Sequence, residues 1–241
     1  MKRLYFLNLA AIISVIGSSA CQKKPDELPD VSIIGTVSLY DEGNIKLIGS
    51  GMKVSLETPS IGVGGYTDAD GGFTFSGISS GLYNVRYEKQ GYGTFIRNIE
   101  HFDNGALTHL SDTLGQWSTT KIILVESSLS TNDVNFSVTT NTTGDSTNPR
   151  YLRFFFGLDE EVSDTNYENY SEVILAISNP FVQSFNQLDL NGMGFTAGTK
   201  VFMRVYGESF YSNNYINADS EKMVFPNLNL STQSAISVLV P

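Results

Sequence analysis

The chain has 241 residues and a mass of 26.4 kDa, with 25 acidic against 15 basic residues, one cysteine, two histidines and one tryptophan beside 12 tyrosines and 15 phenylalanines. A single cysteine excludes an internal disulfide, a cysteine-rich zinc site and an iron–sulfur cluster, and a net charge of −10 argues against the basic field that a nucleic-acid partner requires. The 41% apolar content is too high for a disordered chain and too dispersed for a protein that crosses a membrane many times.

The chain begins with two bases, Lys2 and Arg3, followed by a mostly apolar run from Leu4 to Gly17. Small residues, Ser18-Ser19-Ala20, come next, and Cys21 follows at once. A basic start, a short apolar segment and small residues at a cut site describe a secretory signal peptide over residues 1–20. The apolar run, at about 1.5 Å per residue, is too short to span a bilayer comfortably. Ser18-Ser19-Ala20-Cys21 resembles a bacterial lipoprotein lipobox of the relaxed Bacteroidota type, with Ser18 where leucine is usual. The resemblance implies that Cys21 is lipidated and becomes the mature N-terminus. Residues 21–30, polar and with two prolines, then read as a lipidated tether. Loss of the signal leaves 13 bases against 25 acids, a net charge of −12. The expected address is the outer membrane, periplasmic or surface-facing, with the membrane as partner through the lipid anchor.

From residue 31 onward apolar residues alternate with polar ones, the period of half-buried strands. Strands are predicted around Val31–Val37, Val54–Leu56, Tyr83–Tyr87, Val134–Val138, Tyr151–Phe156, Val173–Ile177, Val201–Tyr206 and Ile236–Val240, separated by Gly, Asn, Asp, Ser and Pro clusters. No convincing amphipathic helix is present. Many short strands with frequent turns predict an all-β chain of two tandem sandwiches, residues 31–125 and 126–241. The polar stretch Glu126–Asp133 suits the junction, and Trp117 is expected to pack near it.

Within the first module, Thr67-Asp68-Ala69-Asp70-Gly71-Gly72-Phe73-Thr74-Phe75 is followed by Gly81-Leu82-Tyr83-Asn84-Val85 and Gly91-Tyr92, with Gly35-Thr36-Val37 and Val54-Ser55-Leu56 upstream. This pattern, over about residues 31–100, resembles the carboxypeptidase regulatory-like domain, a transthyretin-type sandwich without catalysis of its own. Asp70-Gly71 independently reads as a tight hairpin turn. In the second module, Gly198-Thr199-Lys200-Val201-Phe202-Met203-Arg204-Val205-Tyr206-Gly207 resembles the penultimate strand of a fibronectin type III or immunoglobulin-like sandwich. Tyr215 and Met223–Phe225 would form its last hairpin.

Sites of chemistry are sparse. Asp159, Glu160, Glu161 and Asp164 head a base-free acidic stretch and are the candidate calcium ligands, with a solvated loop as the competing reading. Otherwise no cofactor or metal is expected. His101 and His109 lie near Asp103 and Asp112 but without a nucleophile elbow, and read as surface histidines. Phe210, Tyr211 and Tyr215, beside Asn213 and Asn214, are the candidate ligand contacts. Aromatic faces stack on sugar rings while amides bond hydroxyls, unless they pack the loop onto the sandwich. Tyr167 and Tyr170 carry the same two readings.

The sequence thus predicts a non-enzymatic cell-envelope lipoprotein that binds or scaffolds. Its ligand, protein or glycan, is open. One alternative is a glycan-binding accessory of a polysaccharide-uptake system; another is a fimbrial or adhesin subunit.

Overall fold

A computed structural model of the chain describes residues 31–57, 62–102 and 104–241. The expected signal peptide 1–20, Cys21, the expected tether to residue 30 and Asp103 lie outside the described residues. Residues Val31–Pro241 form one compact unit, all-β apart from a six-residue helix.

The first half contains β1 (Val31–Tyr40), β2 (Lys46–Leu47), β3 (Lys53–Glu57), β4 (Val63–Tyr66), β5 (Gly72–Ser76), β6 (Gly81–Glu88), β7 (Phe95–His101) and β8 (Thr108–Gly115). One sheet is built on β1. Strand β8 runs parallel along its edge from Ile33 to Tyr40, while β5 and β2 pair antiparallel with its two ends on the other edge. The facing sheet has the order β4-β3-β6-β7. The alternation read from sequence brings Ile33, Val37 and Leu39 of one sheet against Val54, Leu56, Val85 and Tyr87 of the other, with Phe73 and Phe75 between.

Residues 67–71 do not form the expected hairpin, because β4 and β5 belong to different sheets. They form a corner between the layers. The Asp68 carboxylate accepts bonds from the backbone N–H of Asp70 (3.0 Å) and Gly72 (2.7 Å). Gly71 has φ +84°, and its carbonyl accepts from the Val37 N–H at 2.9 Å. A side chain there would strike the Val37 carbonyl as well as strain the backbone.

The second half contains β9 (Ile122–Leu129), β10 (Asp133–Thr140), β11 (Arg150–Gly157), β12 (Asn169–Tyr170), β13 (Ile174–Ala176), β14 (Phe181–Asn186), α1 (Gln187–Gly192), β15 (Lys200–Glu208), β16 (Tyr215–Ile216), β17 (Met223–Val224) and β18 (Ile236–Leu239). The unexpected helix α1 starts at a capping box between Asn186 and Asp189. A β14-β10-β9 sheet packs on a sheet in which β11 pairs with β12, β13 and β15, and β15 with β18. Val134, Phe136 and Val138 meet Leu152, Phe154, Phe156, Val201 and Met203 in the core between them. The stretch Glu126–Asp133 is the end of β9 and its turn into β10, so the polar run expected at the junction is a hairpin. Strand partners change instead across residues 116–121. The β16–β17 ribbon exists as expected but is not the last element: β18 returns to pair with β15.

Strand β11 is buried along both faces. Its outer face carries Phe155, covered by Val162, Tyr167, Tyr170 and Phe225. Arg153 lies in this layer with an exposure of 1%, paired at 3.0 Å with the fully buried Glu208. Its guanidinium also donates to the Ser171 carbonyl (2.8 Å) and stands 4.9 Å from the centre of the Phe225 ring. Burial raises the Glu208 carboxyl above its usual range, while Arg153 pulls it back down.

In the first half, Tyr87 donates to Asp112 Oδ2 at 2.5 Å, and Arg97 holds Oδ1 at 2.8 Å. Burial, then the Asp112 charge, push the Tyr87 phenol far above its usual 10.0. The folded chain therefore holds this proton more tightly than the unfolded chain. Stability from Tyr87 is complete below about pH 10 and declines as pH rises beyond it. Urea titrations between pH 8 and 11 should show that decline, and Tyr87→Phe should flatten it while lowering stability at neutral pH by about 1–2 kcal/mol.

Candidate functional site

The aromatic and amide residues singled out near Gly207–Lys222 do lie together, and they lie against the first half of the chain. The Tyr211 ring packs on Tyr40, with centroids 4.6 Å apart, and on Phe210 at 4.8 Å. Phe210 also meets Tyr151 edge-on at 5.6 Å and keeps 45% exposure. Tyr215 meets Phe95 of β7 edge-on at 6.0 Å. Asn213, held at φ +53°, accepts from the Gly115 N–H (2.9 Å) and donates to the Thr113 carbonyl (2.7 Å), both on β8. An asparagine tolerates this left-handed backbone better than most residues. The Asn214 Oδ1 is buried without a partner among the described residues. Tyr211, Asn213 and Tyr215 therefore join the two halves.

Two residues that the sequence did not single out complete the joint. Asn227 is fully buried. Its amide nitrogen faces the carbonyls of Gly115 (3.1 Å) and Tyr211 (2.6 Å) and Asn213 Oδ1 (3.0 Å), while its oxygen accepts from the Gly93 N–H at 3.1 Å. Gly93 must be glycine, since a Cβ there would strike the Pro226 carbonyl. Glu42, just after β1, accepts from the Thr119 N–H and hydroxyl, each at 2.6 Å, and pairs with Arg150 at 2.9 Å. Its own carbonyl accepts from the Phe210 N–H at 2.9 Å. The connecting residues are also held: Ser209 donates to the Gln116 carbonyl (2.6 Å), and the Ser118 N–H to that of Asn227 (2.8 Å). Trp117 sits here through its backbone bond to Gly91, but the residue is 48% exposed. Single isolated Asn and Glu residues give no sequence signal for contacts that span up to 134 positions.

The acidic loop is organised differently from a cation cage. Asp159 Oδ1 caps the Glu161 N–H at 2.9 Å and contacts Asn166 at 3.4 Å. Asp164 is raised by burial, an effect opposed by hydrogen bonding at its own backbone and by Arg204. Glu160 and Glu161 are exposed. No three His, Cys, Asp or Glu residues converge among the described residues. Tyr167 and Tyr170 turn inward onto Phe155.

His101 is not a surface residue. It is 1% exposed, with Nε2 3.0 Å from the Ile78 carbonyl and Nδ1 2.8 Å from the Thr108 hydroxyl. Because a carbonyl only accepts, Nε2 carries a proton. His109 is exposed on β8. Asp112 is held by Tyr87 and Arg97.

No protein-family model matches the sequence, and no curated protein sequence does. Among solved structures the chain is similar to a candidate carbohydrate-binding protein from Bacteroides uniformis, at 12% identity over 88% of this chain and 99% of that one, with a TM-score of 0.32. It is also similar to a DUF3823 family protein from Parabacteroides merdae (11%; 87% and 99%; 0.33). A third similarity is to the major pilin subunit of Bacillus cereus (14%; 86% and 69%; 0.29). At these values the similarity carries neither family nor function to the chain.

Removing the Asn227 amide would take the partner from the half-buried Gly93 N–H and Tyr211 carbonyl and from the buried Gly115 carbonyl. Asn227→Ala should lower stability by about 2–3 kcal/mol and raise hydrogen exchange at residues 91–93 and 211–215 more than in either core. Millimolar calcium should leave the melting temperature unchanged, because the loop's acids do not converge; a rise abolished by Asp159→Asn would overturn that expectation.

Proposed function

We propose that the chain is a non-catalytic lipoprotein of the cell envelope that works by binding or scaffolding. The carrying observation is the joint. The loop with the strongest look of a ligand site in the sequence is committed to holding the second sandwich on the first. Two sandwiches fixed to one another in this way present a single, lasting exposed surface for binding or scaffolding.

The catalytic candidates support the same reading. Both ring nitrogens of His101 are engaged inside the protein, and Asp112 is held by a tyrosine and an arginine. Neither is disposed to activate a nucleophile in a cleft. In this reading the first half is the regulatory-like, transthyretin-type sandwich and the second an immunoglobulin or fibronectin III-like one. Anchoring is through acyl chains on Cys21. Each buried CH₂ contributes about 0.8 kcal/mol, so more than one chain anchors firmly. Among the described residues no helix is long and apolar enough to cross a membrane.

Anchoring is checked by detergent phase partition of the full chain made in a Bacteroidota host. The wild type should enter the detergent phase, and Cys21→Ser should move to the aqueous phase. Retention of the variant with the membrane, or turnover by the purified chain in a screen of glycosidase, esterase and peptidase substrates, would contradict the proposal.

A further inference from the structure

The outer face of the β4-β3-β6-β7 sheet carries a groove of about 580 Å³, within the range of about 300–1,000 Å³ typical of small-molecule sites. Its base is the β6–β7 ladder, where Asn84 stands directly opposite Asn98 and Leu82 opposite Glu100. Glu57 of β3 is in register with Asn84 on the other side. Ala218, from the β16–β17 ribbon, closes one wall. The ribbon belongs to the second half, so the groove exists only while the joint holds.

Three features give the groove a chemical character. Asn84, Asn98 and Glu100 have no side-chain partner among the described residues, whereas the neighbouring charges are matched to one another: Arg86 with Glu57 at 2.6 Å and Lys53 with Glu88 at 3.1 Å. Two adjacent amides thus offer paired donors and acceptors about one strand spacing apart, near 5 Å. Leu82 is 76% exposed, an apolar platform beside them. Glu100 adds an acceptor without a compensating base, which disfavours an anionic occupant.

We propose that this groove binds a neutral saccharide. Ring hydroxyls both donate and accept, as an amide pair requires, and the C–H face of a sugar ring suits Leu82. A phosphate meets these needs less well, because it brings negative charge to a carboxylate. The assignment rests on the binding reading above and moves the contact surface from Tyr211 and Tyr215 to the sheet.

The test is affinity electrophoresis of the full chain in gels containing glycogen, xylan, mannan or galactan, with polygalacturonate as the anionic control, followed by titration with hexasaccharides of the polymer that retards it. Retardation by at least one neutral polymer and none by polygalacturonate is expected. Asn84→Ala with Asn98→Ala should weaken binding by about tenfold or more, and Leu82→Ala by a smaller factor. Melting curves should match wild type, since none of these side chains lies in the core. Tyr66→Ala, on the far strand of the same face, should bind as wild type. Binding that survives the double substitution would overturn the groove but leave a binding protein. No retardation in any neutral gel would overturn the saccharide, while the phase-partition result would still stand or fall by itself.

Discussion

The packing of one half on the other turns on a point where three distant stretches of chain turn main-chain groups toward one fully buried side chain. Gly93 presents an N–H there, and Gly115 and Tyr211 present carbonyls. An aspartate would bring a charge and no donor, and a leucine would leave three orphaned groups, each costing about 1–3 kcal/mol. A primary amide with one acceptor and two donors answers all of them, and Asn227 supplies it. The fit also dictates its neighbour, because Gly93 lies too close to Pro226 for any side chain. Glu42 repeats the logic at the connector with the opposite polarity: a carboxylate takes the donors of Thr119 and Arg150.

The second half rests on a different arrangement. A strand buried on one face shows alternation, but β11 is buried on both and reads as an unbroken apolar run around Arg153. An isolated guanidinium could not remain there. Glu208, the Ser171 carbonyl and the Phe225 ring compensate it together, which is the condition under which a buried pair is tolerated. The layer explains the acidic loop as well. Tyr167 and Tyr170 are drawn onto Phe155, and the carboxylates between and before them are left facing solvent.

Alternation made the paired faces of β1, β3, β5, β6 and β10 legible, because a period of two depends only on near neighbours in sequence. The corner at Asp68–Gly72 has the residues of a hairpin, and only the pairing of β5 with β1 rather than β4 distinguishes the two. The burial of His101 was illegible for the same reason: Ile78 and Thr108 reach it through the fold. At the candidate site the cluster of Phe210, Tyr211, Asn213 and Tyr215 was visible as a composition. Its partners, Tyr40, Phe95 and Gly115, are about a hundred positions or more away, so the same residues suited a sugar and an intramolecular contact equally well.

That intramolecular contact has a consequence for the sheet it rests against. By fixing residues 207–229, the joint sets the β16–β17 ribbon beside β7, with Tyr215 on Phe95. An otherwise flat sheet face thereby gains a wall. On that face the exposed pairs Arg86–Glu57 and Lys53–Glu88 add little stability by themselves. Their effect is positional, because they engage the nearby bases and leave the Asn84–Asn98 amides without partners among the described residues. Surface chemistry and inter-sandwich packing are therefore coupled: a change at Asn227, remote in sequence from β6, acts on the groove by releasing its wall, whereas a change at Asn84 acts on the groove and leaves the joint intact.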